Sequence, residues 1–465
     1  MPTEALLVAR ALFWVFAAGV LLLPVRWSLF CFILASHMDI TSLTFNSATA
    51  VGFENTIRIA GLPALLLLRT GFAPLKDITW TLPQKIWLAL IAYAAIAGLW
   101  SGFPLAAIKM VAYLVAYFVL YMIFCSAWGE HWLDIGLVRM IAWSVIALAS
   151  LQTFILGNEW GGLEQRFTSF SAPQYFAAFL VAVLAVLMFS EERGAFHYAT
   201  CGGLMAAIVL SGSRYVFVSM VALAVIGCFR LVSGRHGSMR WRPNVRKMIL
   251  TLGIAAAGVG ILVAYLPYNR IDELVGAVSE DDATVEDVGT FAWRLGIYED
   301  ILGRLEKRTG PELFFGSGTS SGAALMLNHD PDHYDREGID ANRVLHSEFL
   351  RALYEWGIPG FGLLVAFVVA TTAGFVQKIA AEGGGPALAF AGALPSIVLG
   401  LAIENMLASA ASAGGVGILL AMTFAWKGEP AYARDGAWDE TWDVALDGNL
   451  DGGLDVGSSA LPTQS

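Results

Sequence analysis

The chain has 465 residues, of which 57% are hydrophobic and 14% charged, with a formal net charge of -10; its mean hydropathy is +0.65. A soluble domain carries about 25% charged residues, so this composition excludes one and implies a polytopic membrane protein. The acidity gathers in one long loop and in the C-terminal tail, with no basic patch for a nucleic-acid partner.

Apolar runs long enough, or nearly so, to cross a bilayer recur at residues 5–23, 27–41, 57–69, 84–101, 106–126, 134–156, 173–190, 197–212, 214–231, 248–266, 351–375, 386–404 and 407–426. This predicts an all-α fold of about 12 or 13 transmembrane helices. The first two runs are divided only by residues 24–27, and the stretches near 57–69 and 198–210 are short enough to be re-entrant or tilted. The first run lacks a charged n-region and a small-residue cleavage site, so it is expected to remain as an anchor. Four regions follow: N-terminal transmembrane helices at 1–266, a large extracytoplasmic loop with short helices of its own at 267–350, C-terminal transmembrane helices at 351–426, and an acidic, disordered cytoplasmic tail at 427–465. The tail has too little apolar material to fold.

Charge sets the orientation. Residues 230–247 carry Arg230, Arg235, Arg240, Arg242, Arg246 and Lys247 with no acid, whereas residues 267–345 include Glu280, Asp281, Asp282, Glu286 and Asp287. Positive charge is retained inside, which places the first connection in the cytoplasm and the second outside. The C-terminus is then cytoplasmic; thirteen passes put the N-terminus outside and twelve put it inside. Cys31, Cys125, Cys201 and Cys228 lie in or at the ends of apolar runs, without the spacing of a disulfide framework or a zinc site.

Along the chain, the string RFTSFSAPQYF at 166–176 comes first. Arg166 offers a guanidinium at an outer helix mouth or a partner for Glu164 or Glu159; Pro173 suits a first helical turn, capped by Ser169 or Ser171. In SGSRYVF, at 211–217, Arg214 interrupts an apolar stretch. A charge at bilayer depth costs about 2.5–3.5 kcal/mol. Arg214 therefore either marks an outer turn, snorkelling to the headgroups, or holds an anion, for which its planar fork matches two phosphate oxygens.

The loop of about 80 residues exceeds ordinary connections and is expected to be functional. Trp293, Leu295, Ile297, Ile301, Leu302 and Leu305 recur with partial helical period from 292 to 309, with Arg294, Glu299, Asp300, Arg304 and Lys307 for the polar side; this predicts an amphipathic helix near the outer surface. Gly316 and Gly318 in PELFFGSG suit a tight turn. His329 and His333 stand at i and i+4, but among Asp, Pro and Asn rather than on a helix, which disfavours a metal site. In LHSEFLRALYEWGIPGFG, His346 enters the next apolar run. An imidazole takes a proton from a hydroxyl at neutral pH; the structural alternative is a histidine held at a helix entry by Ser347 or a carbonyl. Glu348 either orients that imidazole or is a favourable first-turn charge. Gly357, Gly360 and Gly362 suit close helix packing and Pro359 a kink.

In their order, these strings resemble the O-antigen ligase and polymerase family of bacterial envelope glycosyltransferases, of the GT-C type. The resemblance lies in Ala172-Pro173-Gln174, Ser213-Arg214, Arg294 with Gly316-Ser317-Gly318, and His346-Ser347 with Leu350, Glu355, Gly357 and Gly360. It spans about residues 165–368 and departs in Gln174 and Ser347, where the family commonly has Asn. It implies transfer of a glycan from undecaprenyl diphosphate to an acceptor hydroxyl at the periplasmic face of the bacterial inner membrane, with inversion and without metal or cofactor. Arg214 and Arg166 then hold the diphosphate, Arg294 assists from the loop, and His346 acts as base or positions the acceptor. The acceptor is lipid A-core for a ligase, or a growing lipid-linked glycan for a polymerase of O-antigen, capsule or exopolysaccharide. A diphosphate leaving group carries charge that cationic side chains stabilise as the bond breaks, which agrees with such chemistry. The other readings are a transporter of solutes or lipid-linked glycans, with Arg214, Glu404 and Asn405 lining a pathway, and a non-catalytic scaffold. One oversized loop and no visible inverted repeat weigh against the transporter.

Overall fold

The structure, a computed structural model, describes residues 3–38, 53–54, 56–76, 80–157, 167–170, 173–190, 194–213, 215–233, 285–322, 324–325, 345, 347–382 and 385–403. Every regular element among these residues is a helix. The predicted passes at 248–266 and 407–426, residues 234–247, and the tail from 427 lie outside the described residues.

Pro24, extended at φ -52° and ψ 155°, separates α1 (Thr3–Leu22) from α2 (Val25–Ser36), and the two helices pack on each other. A proline cannot continue the ladder of the preceding turn, so the first two runs are distinct helices. A π-helical turn, Ile57–Gly61, leads into α3 (Leu62–Arg69), followed by the single turn α4 (Ala73–Lys76). The Arg69 guanidinium donates to Ser28 Oγ at 2.8 Å, tying α3 to α2. Next come α5 (Leu82–Ala97), a 3-10 turn over Gly98–Trp100, α6 (Pro104–Gly129) and α7 (Ile135–Ser150). Asp134 caps α7 through Leu137 N–H at 2.7 Å and pairs with Arg26 at 2.8 Å.

The second half contains α8 (Pro173–Phe189), α9 (Ala195–Leu210), α10 (Tyr215–Ser233), α11 (Val285–Glu306), α12 (Gly310–Phe315), α13 (Glu348–Glu382) and α14 (Gly385–Ile403). Apolar on all sides, α8 is buried along nearly its whole length, as a central helix must be. It packs on α9, α10 and α14, while α13 packs on α5, α12 and α14.

Four helical segments among the described residues are long and apolar enough to cross a membrane: Leu82–Trp100, Pro104–Gly129, Ile135–Leu156 and Glu348–Gln377. Shorter apolar helices of 10–17 residues include α2, α8 and α9. Large apolar side chains point outward from these helices, with Leu99 85% and Leu105 82% exposed. Water penalises such a surface and lipid does not.

α13 holds the feature that positions the site. Its backbone breaks at Gly357, where φ is 62° and ψ -161°. The expected bend at Pro359 therefore lies two residues earlier, and Pro359 falls early in the resumed helix, where its missing N–H costs least.

Candidate functional site

The site is built on the first turns of α13. Ser347 caps the helix, its Oγ accepting from Leu350 N–H at 3.3 Å; a hydroxyl at this position satisfies one of the orphan donors of a first turn. Glu348, Arg351 and Glu355 follow at i, i+3 and i+7, on one face of the helix. All are buried, at 1%, 1% and 0% exposure. Arg351 Nη2 stands 2.8 Å from Glu348 Oε2. Tyr117 of α6 lies within electrostatic range of Glu348, Arg351 and Arg58, so charge from the π turn at 57–61 reaches the same interior.

Against this face sits the glycine-rich turn that follows α12. Gly316 and Gly318 take φ of 74° and 94°, the left-handed region that glycine enters without penalty. Ser317 N–H donates to Tyr354 O at 3.0 Å and Gly318 N–H to Glu355 O at 2.9 Å. An unbroken helix would keep the Tyr354 carbonyl for the N–H of Ile358, whereas the Glu355 carbonyl faces Pro359, which has no N–H to give; the kink at Gly357 leaves both for the turn. Glu355 Oε2 accepts from Ser320 N–H at 2.8 Å and Oε1 from Gly322 N–H at 3.2 Å. Thr319 locks the other side: its Oγ donates to Ala94 O at 2.6 Å and accepts from Trp356 Nε1 at 3.0 Å, and its carbonyl accepts from Ser101 Oγ at 2.6 Å. The turn is thus wedged between the end of α5 and the kink of α13.

Arg308 completes the anchorage, donating from Nη1 to Tyr354 O at 2.8 Å and from Nη2 to Ser317 Oγ, with its guanidinium 4.1 Å from the Tyr354 ring centre. The loop helix α11 extends from Val285 to Glu306 and buries Ile297, Ile301 and Leu305 against Leu325, Leu345 and Tyr354. Arg294, expected on the polar side of this helix, is instead half-buried and lies three residues before Ile297, on the face that packs inward. The structure therefore brings the helix carrying Arg294 onto Leu345, the residue before His346.

His346, Arg166 and Arg214 themselves lie outside the described residues, as do Glu404, Asn405, His329 and His333. The chain beside Arg166 is nevertheless fixed: Phe167 N–H donates to Leu210 O at 3.3 Å, at the end of the helix that leads to Arg214. Strings separated in sequence thus meet at the backbone. Ser169, expected as a possible cap for α8, instead bonds His37 Nδ1 at 3.1 Å. Both residues are fully buried, and the His37 ring stands edge-on to Phe179 at 4.4 Å.

Glu348 pairs with Arg351 and so is more than a first-turn charge. Sequence reasoning passed over Arg351, Arg308 and His37, and read Glu355 as a motif letter alone. The signal for the first lay in the one-faced spacing 348, 351 and 355; His37, alone in an apolar run, carried none.

The fold and site define a class: an α-helical protein, several of whose helices are apolar and long enough to span a membrane, with a loop keyed into a kinked helix. No protein-family model matches the chain, and no curated protein matches it in sequence.

Proposed function

We propose that the chain is a polytopic inner-membrane glycosyltransferase that passes a glycan from undecaprenyl diphosphate to an acceptor hydroxyl on the periplasmic side, as an O-antigen ligase or a polysaccharide polymerase. One observation carries the reading. The Gly316–Gly318 turn, the face of α11 that bears Arg294 and the helix entry at Leu345–Ser347 converge at the start of α13, although they are scattered in sequence. These are the loop and helix elements on which the resemblance rests.

In this reading His346 takes the proton of the acceptor hydroxyl, or orients that hydroxyl for attack on the anomeric carbon. The bond to the diphosphate breaks as the new glycosidic bond forms. Arg166 and Arg214, on segments joined by the Phe167–Leu210 hydrogen bond, hold the departing diphosphate, and Arg294 adds charge from the loop. Fixed cations stabilise a leaving anion best where water is scarce.

The test is the glycan profile of a deletion strain that carries wild type, His346→Ala or Arg214→Ala at matched protein levels. Loss of transfer with either substitution is expected. Long polymer accumulating on the lipid carrier identifies a ligase, and single lipid-linked repeats identify a polymerase. Unchanged glycans in both variants reject the enzyme reading.

A further inference from the structure

We infer that Glu355 is a positioning residue: its carboxylate latches the loop turn 316–322 to α13 and thereby holds the helix entry next to His346. The importance of that entry rests on the proposed function; the latch itself does not.

The carboxylate occupies the place an external anion would take in such a glycine-rich turn. Two backbone N–H groups, those of Ser320 and Gly322, converge on its two oxygens, the arrangement by which successive amides cradle an anion. Ser320 is held at φ 66°, a conformation that costs a non-glycine residue energy and persists only when its surroundings impose it. The Glu355 acceptor is positioned to impose it. The turn is therefore keyed internally, leaving the anion-holding role in the proposed reaction to arginines elsewhere.

Arg351, one turn before Glu355 on the same face, offsets only part of the buried negative charge, because it is also the partner of Glu348. Its guanidinium is 1% exposed, paired with Glu348 and 5.6 Å from the Trp356 ring centre, and among the described residues its Nε and Nη1 have no hydrogen-bond acceptor. A trio of buried charges of this kind is seldom more stable than apolar side chains of the same volume. What it supplies here is selectivity for one arrangement, because an apolar residue at 355 cannot bind two amides. Tyr354, whose carbonyl accepts from Ser317 N–H, packs in one cluster with Leu345, and Ser347 caps the same helix, so displacement of the turn would be felt on both sides of residue 346.

The experiment uses the full chain in lipid nanodiscs, with amide hydrogen exchange read over residues 316–322, alongside the glycan profile in the deletion strain at matched protein level. Glu355→Leu removes both acceptors and is expected to speed exchange in the turn by about tenfold or more, to leave α6 unchanged, and to lower glycan transfer by about 100-fold, the cost of a displacement near 1 Å. Glu355→Gln keeps one carbonyl oxygen and should fall between Glu355→Leu and wild type in both readouts; it also stands in if the leucine variant is not produced. Unchanged exchange in the turn overturns the latch. Faster exchange with an unchanged glycan profile overturns the positioning role. If wild type itself leaves the glycan profile as it is without the protein, the proposed function fails, and the exchange alone decides the latch.

Discussion

A methyl group at Gly357 would strike the carbonyl of Phe314, and its φ of 62° already excludes most side chains. Gly357→Ala should therefore lose about 1–3 kcal/mol from backbone strain alone, with further loss from the collision, seen as a lower thermal midpoint in detergent. Gly362→Ala is the control: it sits in open space within the same helix and should be neutral, or gain up to about 1 kcal/mol from helix propensity. Equal behaviour of the two variants would contradict the keyed turn. The glycines of this run were legible as special, but their partner was not. Periodicity reports which face of a helix is buried, whereas Gly357 meets the backbone of a turn far away in the chain, and backbone leaves no mark in a hydrophobic pattern. The pairing of Ser169 with His37 was hidden for a different reason, since a serine shortly before Pro173 reads locally as a cap.

At the scale of elements, α11 shows what periodicity does deliver. Ile297, Ile301 and Leu305 form one buried stripe, while Leu302, also apolar, is 48% exposed. Ile301→Ala should cost about 2–5 kcal/mol and loosen the packing on Leu345 and Tyr354, whereas Leu302→Ala should stay within about 0.5 kcal/mol. Thermal unfolding of the two variants separates them, and a similar loss in both would mean that the exposed side of α11 is covered. The helix itself was predicted at 292–309 and runs over Val285–Glu306. Its earlier start lies in a stretch rich in Asp and Glu, where acidic side chains favour a helix N-terminus without adding to the apolar stripe. Ser347 was expected only as a group that could hold His346; the structure shows it capping α13, and its removal in Ser347→Ala should cost about 0.5–2 kcal/mol.

For the molecule as a whole, apolar runs located the helices among the described residues well, because a helix buried in an apolar surrounding has to satisfy its backbone internally and be apolar over much of its length. Their direction depends on a weaker term, the retention of Lys and Arg in the cytoplasm. The connection at 234–247 carries five basic residues and no acid, whereas the stretch 280–287 holds five acidic residues and no base. On that asymmetry, a periplasm-dependent reporter fused near residue 310 should be active and one fused near residue 240 inactive, with a cytoplasm-dependent reporter giving the opposite pair. The result bears directly on chemistry. The proposed donor presents its glycan at the periplasmic face, so the Gly316–Gly318 turn and the entry to α13 must lie on that face. A reversed pair of signals would place His346 on the cytoplasmic side, away from the donor, and the glycosyltransferase reading would fail even with every helix correctly placed.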